Sequence, residues 1–305
     1  MSQPGGEHFR TGFVSIVGRP NAGKSTLLNA LIGEKVAITA RQAQTTRTSI
    51  QGVLTSPDAQ IIFIDTPGIH ESNTLFNKKM MDTVRGALSE RDLVLFVTDS
   101  SRAVVQEDEH AVSVLQHTSK AMLVLNKVDR VADKRLLLPL TEQFLKLHPF
   151  VDMVPVSART GEGLEDLKRA LIKYLPEDAP VFPEDHFTDQ PVRFLAGEII
   201  REKILRSTQD EVPHAVAVLI DQWEVKRGLT RIAATIHVER PGQKTILIGK
   251  GGATLKEIGI AARQEIESLT GTKVFLSLFV KVKRNWREDP SFLEAIDWRA
   301  MVGSK

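Results

Sequence analysis

The string GRPNAGKS, Gly18 to Ser25, follows the apolar run FVSIV and leads straight into KSTLLNALIG, a segment of helical length. A strand that turns through two glycines into a helix restricts the fold more tightly than any other part of the chain. The spacing is G-x-x-x-x-G-K-[ST], in which glycines let backbone N–H groups approach phosphates and the helix N-terminus faces negative charge. Lys24 then reaches the terminal phosphates, and Ser25 offers a hydroxyl to Mg²⁺. Gly18, Asn21, Ala22, Gly23, Lys24, Ser25 and Thr26 are the candidate phosphate-binding residues.

Four further apolar runs, Gln60–Thr66, Asp92–Asp99, Ala121–Lys127 and Met153–Ala158, read as buried parallel strands. Segments of helical length lie between most of them, including NKKMMDTVRGALS and LLLPLTEQFLKLH, and GLEDLKRALIKYL closes the series. Strands alternating with helices predict an α/β domain with a mostly parallel, doubly wound sheet.

Short motifs stand at the ends of these runs. DTPG, Asp65 to Gly68, places a carboxylate where it can hold Mg²⁺ through water, followed by Thr66, Pro67 and a glycine whose N–H can sense a terminal phosphate. NKVD, Asn126 to Asp129, supplies a base pocket. Asp129 offers two acceptor oxygens to the N1–H and exocyclic amine of guanine, a donor pair that adenine lacks. Asn126 supports the loop and the base edge, and Lys127 lies along the base plane. In SAR, Ser157 to Arg159, the Ala158 N–H can meet the guanine oxygen. GTP or GDP with Mg²⁺ is therefore the expected ligand.

With 305 residues the chain has room for two domains, each able to bury a core. It has no cysteine, which excludes disulfides and thiolate metal sites. The N-terminus reads without a secretory apolar core, and no apolar run reaches the roughly 18 residues of a membrane span, so a cytoplasmic location is expected. Residues 1–190 hold 21 Lys+Arg against 24 Asp+Glu, and residues 191–305 hold 19 against 14, a change from −3 to +5. Between the halves, the stretch PEDAPVFPEDHFTDQP reads as a linker.

The basic half opens with a helical pattern in VRFLAGEIIREKILRST, then alternates in HAVAVLIDQWEV and TRIAATIHVER as paired strands do. A short helix, the string GKGG from Gly249 to Gly252, the amphipathic ATLKEIGIAARQEIESLTG and the run KVFLSLFVKVK follow. This second glycine turn joins two helices, and Ala253 with Thr254 replaces the Lys-Ser/Thr pair of a phosphate loop. It is the G-x-x-G of a K-homology fold, which clamps about four unpaired nucleotides beside an apolar groove. Lys244, Gly249, Lys250, Gly251 and Gly252 are candidate RNA contacts, with Lys281, Lys283, Arg284 and Arg287 as further cations. Trp286 reads equally as a stacking platform and as a core anchor.

The first-half motifs resemble those of translation-factor-type GTPases. That resemblance implies a first switch at QTTR, Gln44 to Arg47, with Thr46 as a magnesium ligand and Thr45 its rival. It also implies acceleration by a partner or by a monovalent cation, with Asn21 matching the residue that helps hold K⁺ in related GTPases and reading equally as a stabiliser of the loop. Gly68 is followed by Ile69 and His70 rather than a water-orienting Gln, so slow intrinsic hydrolysis is expected. Asn21, Thr46 and Gly68 are the candidates for a part in catalysis, with His70 a weaker one as general base. With both halves in this order, the chain resembles the bacterial ribosome-assembly GTPases. The architecture this implies is a GTPase domain over 1–178, a linker over 179–190, and an α+β type II K-homology domain with a tail helix over 191–305. The expected partners are single-stranded RNA at the 3′ end of 16S ribosomal RNA and the 30S subunit, the expected state a monomer, and the expected location the cytoplasm with a peripheral fraction on the inner membrane. A P-loop kinase would explain Gly18 to Ser25 but not NKVD with SAR, and a passive RNA-binding protein with a vestigial pocket would explain only the second half.

Overall fold

The computed structural model describes residues 8–40, 45–69, 74–89, 91–118, 120–209, 212–213 and 215–299. Gln44 and His70 lie outside the described residues. The chain divides into two compact units, one formed by residues 1–37, 46–72 and 78–189, the other by 38–45, 73–77 and 190–305.

In the first unit, β1 (Arg10–Val17) runs between β3 (Ala59–Asp65) and β4 (Leu93–Asp99), followed outward by β5 (Ala121–Asn126) and β6 (Asp152–Pro155). These five pair in parallel, and β2 (Ile50–Thr55) adds an antiparallel edge beside β3. Strands β3, β4 and β5 are buried at every position, as expected of parallel strands covered on both faces. One face carries α1 (Lys24–Ile32) and α5 (Leu164–Tyr174), whose Leu27, Leu28, Leu31, Leu167 and Leu171 pack on Ile16 and Phe63. Against the other face lie α2 (Leu75–Leu88), α3 (Gln106–Ser113) and α4 (Leu137–Leu147), with Val84, Ala111 and Phe144 around Phe96.

The alternating runs anticipate the five parallel strands but not β2 or α3. The sequence IQGVLT is short and broken by Gly52, and its place comes from pairing with β3. Gln106–Ser113 is strongly charged, and only Asp108, Ala111 and Val112 of it are buried. The proline-rich stretch read as a linker is held along the β2–β3 side. Val53 N–H donates to the Phe187 carbonyl at 2.9 Å, and Gln60 Oε1 accepts from the N–H groups of Val181 and Phe182 at 2.7 and 2.8 Å. The division between units falls after Asp189.

The second unit follows the anticipated order. Helix α6 (Val192–Ser207) leads to β7 (Ala217–Lys226) and β8 (Leu229–Val238). Then come α7 (Pro241–Ile248), a 3₁₀ turn at Lys250–Gly252, α8 (Ala253–Thr270) and β9 (Lys273–Val282). Strand β8 is central, antiparallel to β7 and parallel to β9. Helices α6 and α8 cover one face, burying Ile200, Ile204, Ala262 and Ile266 against Ala234, Ile236 and Val280. The tail helix is a short α9 (Pro290–Ala295), started by Asp289, whose side chain accepts from Phe292 N–H. Trp286 is fully buried, donates Nε1–H to the Ala215 carbonyl at 3.0 Å and packs on Phe292, so it is the core anchor and not a stacking platform.

Candidate functional site

Strands β1, β3, β5 and β6 all end on one side of the first sheet, the carboxyl edge where open α/β folds bind ligands. There the backbone needs its glycines. Gly18 has φ +144° and Gly23 φ +95°; a side chain at either would overlap the Val97 carbonyl or the Asn126 amide. Gly23 is also the N-cap of α1, with no side-chain cap and no acid in the first turn. The N–H groups at the start of α1, around Ser25 and Thr26, therefore remain oriented toward an incoming anion. Lys24 is buried, and its Nζ donates to the carbonyls of Gly18 at 3.0 Å and Arg19 at 2.9 Å, closing the loop around itself. Burial lowers its ammonium to about 8, with Asp65 opposing the shift.

Three oxygens meet next to Lys24. Ser25 Oγ lies 2.7 Å from both Thr46 Oγ1 and Asp65 Oδ2, and Thr46 Oγ1 donates to Asp65 Oδ2 at 3.0 Å. Thr46, rather than its rival Thr45, is thus the threonine that joins Ser25 and Asp65. Asp65 is fully buried, and its Oδ1 has no hydrogen-bond partner, so half of the carboxylate awaits a donor or a cation. Burial raises its carboxyl above the ordinary range, against the opposing pull of Lys24, Ser25 and Thr46. One carboxylate and two hydroxyls are hard oxygen donors of the kind Mg²⁺ takes when phosphates and water complete its shell. The DTPG loop is pinned beside this cluster. Thr66 Oγ1 donates to Ile16 O at 2.8 Å, Ile69 N–H to Gly18 O at 3.1 Å, and Gly68 packs on Pro20 so closely that a Cβ would overlap it.

The base-side motifs converge through Asn126. Its Nδ2 donates to Ala22 O at 2.9 Å, and its Oδ1 accepts from Lys127 N–H at 2.8 Å and Ala158 N–H at 3.0 Å. The Ala158 N–H, expected to face the base, is thereby engaged with Asn126. Asp129 Oδ1 accepts from Ser157 Oγ at 2.6 Å, and its Oδ2 pairs with Arg159. The Ser157 hydrogen bond, followed by Arg159, holds its carboxyl below the usual range against slight desolvation. Lys127 takes a left-handed backbone, φ +66°, and its Nζ bonds Asn21 O and Asp99 Oδ2, both at 2.6 Å. Asn21 is itself left-handed, φ +63°.

Sequence reasoning missed two residues here. Asp99, at the end of β4, anchors Lys127; burial pushes its carboxyl up, but the hydrogen bonds of Lys127 and Ser101 outweigh it and hold the group low. Asp108, buried in α3, holds the loop residue Arg19 at 2.8 Å. An acid closing an apolar strand was the only local sign of Asp99; Asp108 left no sign.

In the second unit the G-x-x-G turn is built on left-handed glycines, Gly249, Gly251 and Gly252, at φ +71°, +61° and +82°. A Cβ on Gly249 would overlap Thr254, whereas Gly251 and Gly252 face open space. Lys250 is exposed at the tip and Lys244 is half-buried on α7. Beside the turn is a groove of about 450 Å³, lined by Gly252, Leu255, Lys256, Gly259, Ile260 and Arg263 of α8 and by Leu276 and Leu278 of β9. Lys256 and Arg263 were not singled out in the sequence, because their place beside the groove follows from how α8 meets β9. The other proposed cations lie elsewhere. Lys283 pairs with Asp289 at 2.7 Å, and Arg287 pairs with Glu239. Arg284 lines a separate cleft at the start of α7, and Lys281 belongs to the side of β9 away from the groove.

Comparison with known proteins matches this geometry. A family of 50S ribosome-binding GTPases matches residues 13–127, and the KH domain family matches residues 211–287. GTPase Era of Geobacter metallireducens is 49% identical over 293 residues, covering 95% of this chain and 98% of that protein. The chain belongs to the Era family of GTPases. GTPase Era of Lactobacillus helveticus is 46% identical, covering 96% of this chain and 97% of its own. A crystal structure of Era in complex with MgGDPNP and nucleotides 1506–1542 of 16S ribosomal RNA superposes with a TM-score of 0.91 at 41% identity, over 95% of this chain and 99% of that one. A variant of Aquifex aeolicus Era bound to GDP.AlF4⁻ gives a TM-score of 0.90 at 40% identity, over 95% of this chain and 99% of that chain. Among the described residues, no helix is long and apolar enough to cross a membrane.

Proposed function

We propose that this member of the Era family binds and slowly hydrolyses GTP, and that its K-homology unit grips the single-stranded 3′ end of 16S ribosomal RNA during assembly of the 30S subunit. The meeting of Ser25, Thr46 and Asp65 beside a buried lysine is the observation that carries the nucleotide half of this reading. Backbone N–H groups of the loop from Gly18 to Thr26 cradle the phosphates, and Lys24 neutralises the terminal ones. Ser25, Thr46 and Asp65 would hold Mg²⁺, which would supply charge neutralisation to the phosphates. Asp129 selects guanine through two acceptor oxygens, kept ionised by Ser157 and Arg159.

Hydrolysis is slow in this reading because the residue after Gly68 is Ile69, a buried apolar side chain that cannot orient water. Asn21, its carbonyl held by Lys127, is the residue that would hold an activating K⁺. The RNA half rests on the turn at Gly249–Gly252, on Lys250, and on the adjacent apolar groove with Lys256 and Arg263. GTP tightens RNA binding only if RNA favours the GTP-bound form, since coupling is a difference in affinity between two states. The protein acts as a cytoplasmic monomer, with a minor fraction held peripherally at the inner membrane.

The test is the affinity of the full chain for a single-stranded RNA copying the 16S 3′ end, against a scrambled RNA, in GDP and in a non-hydrolysable GTP analogue at fixed salt. Turnover is followed alongside in Na⁺ and in K⁺. Sequence-selective binding that tightens with the analogue supports the reading; equal affinity in both nucleotides removes the coupling. Turnover that does not change between cations removes the K⁺ site.

A further inference from the structure

Strand β9 has two sides with different chemistry. Its even-numbered residues Leu276 and Leu278 line the groove and pack toward the helices. Because side chains alternate along a strand, Lys273, Phe275, Ser277, Phe279 and Lys281 share the opposite face of the sheet. Among the described residues, α6 and α8 lie on the other side, and α9 meets this face only at its far end, where Phe292 packs on His237 beside Lys281. Phe275 is 58% and Phe279 54% exposed, large values for aromatic rings on a strand. They stand four residues apart, roughly 13 Å along the strand, with only Ser277 between.

The neighbours make this face cationic. Register sets Arg231 of β8 directly beside Phe275, and Thr235 beside Phe279. Arg231, Lys273 and Lys281 are all exposed. Of the acids near them, Glu224 pairs with Lys226 at 2.8 Å, Asp221 accepts from the Thr235 hydroxyl at 2.7 Å, and Glu267 accepts from Val274 N–H at 3.0 Å, so the cations outnumber the unpaired acids on this side. β9 is also the edge of its sheet, so a chain leaving the groove need only pass around one strand to reach the aromatic row.

We propose that this open face is a second RNA subsite, on which bases flanking the groove-bound segment stack against Phe275 and Phe279 while Arg231, Lys273 and Lys281 neutralise the intervening phosphates. Exposed aromatics among cations form the usual platform for unpaired bases, because every base presents a π-face and every linkage a negative charge. The site rests on the RNA reading above and extends it: the groove selects a short segment, and the sheet face adds affinity that grows with RNA length.

The test uses the full-length protein, a tetranucleotide of the length a K-homology groove holds (about four nucleotides), and an RNA about three times longer that continues it on both sides. F275A/F279A is expected to lose at least tenfold in affinity for the longer RNA and to keep its affinity for the short one. F279L preserves the apolar surface but not the ring, and is expected to lose several-fold on the longer RNA alone. Photocrosslinking of bromouridine-substituted RNA is expected to label the β9 peptide at Phe275 or Phe279. Unchanged affinity of F275A/F279A for the longer RNA, with crosslinks confined to the groove, overturns the subsite. Loss of self-association with RNA affinity intact also overturns it, making the face a contact between protein chains. If the wild-type protein binds neither RNA, the RNA reading of the groove fails first and the subsite falls with it.

Discussion

Asn126 donates its side-chain amide to the carbonyl of Ala22 at 2.9 Å, so the end of β5 holds a loop 104 positions earlier in the chain. The same side chain accepts from Ala158, which ties the loop after β6 to both. One buried amide therefore sets the distance between the phosphate-binding and base-binding parts of the pocket.

Replacing Asn126 with Ala leaves Ala22 O and the N–H groups of Lys127 and Ala158 without this partner in a buried place. A loss of about 2–4 kcal/mol of stability is expected, given roughly 1–3 kcal/mol for each buried group left unpaired and partial relaxation. Urea denaturation measures it, and guanine-nucleotide affinity should fall by more than tenfold in the surviving folded fraction. A stable variant with unchanged affinity would show that the loops are positioned by other contacts.

Base choice should be reversible at Asp129. An amide in place of the carboxylate substitutes a donor for one acceptor, which matches a purine bearing an oxo group where guanine carries its amine. D129N is expected to lose GTP at least a hundredfold and to gain XTP, measured by competition with a fluorescent GDP analogue. Equal losses for both nucleotides would mean that Asp129 shapes the loop through Ser157 and Arg159 rather than reading the base.

Lys24 carries a pH signature of defined sign. Its free-state pKa is lowered to about 8 by burial, and phosphates nearby raise it. Nucleotide binding therefore takes up a proton above pH 8, and affinity should weaken as pH rises through 8 toward 10, by up to tenfold per unit. The nucleotide-free fold responds in the opposite direction. The cost of burying the charged ammonium is present below 8 and is relieved as pH rises from 8 toward the ordinary lysine value of 10.5. Calorimetric titrations at pH 7, 8 and 9 in buffers of different ionisation enthalpy should show the proton uptake.

Gly249 and Lys250 separate folding from grip. G249A places a Cβ against Thr254 at φ +71°, and a melting temperature lower by several degrees is expected. K250A removes an exposed cation, so the melting temperature should hold while RNA affinity falls several-fold. The slope of log affinity against log salt should shrink by about 0.7, the value of one phosphate contact on a single strand. An unchanged slope would place the phosphate path away from the turn.

Much of this molecule was legible in its sequence because the signals are local. The buried strands β3, β4 and β5 appear as apolar runs, since a strand covered on both faces has little polar side to show, whereas β6 at the sheet edge leaves Met153 exposed. The phosphate loop is visible because φ values near +95° and +144° at Gly23 and Gly18 tolerate little but glycine. Each base-pocket motif is contiguous and ends a strand. Even the order of elements in the second unit could be read from the switch between periods of two and of 3.6.

What the tertiary structure decided depends on residues brought together from far apart. Thr46 rather than Thr45 meets Ser25 and Asp65, a choice that rests on where a loop returns rather than on either residue type. Asp99 and Asp108 became supports of the pocket only once β4 and α3 lay beside the loops they hold. The cations of the second unit sorted themselves in the same way. Arg287 and Lys283 pair with Glu239 and Asp289, Arg263 lies 4.0 Å from Glu267 at the groove wall, Lys256 lines the groove, and Lys281 joins the far side of β9. The sequence by itself determined the elements, the glycine turns and the chemistry of each motif, because steric and hydrophobic preferences act between near neighbours. Only the fold decided which charges are spent on the protein and which remain for a ligand, because ion pairing and burial depend on distances that chain order does not specify.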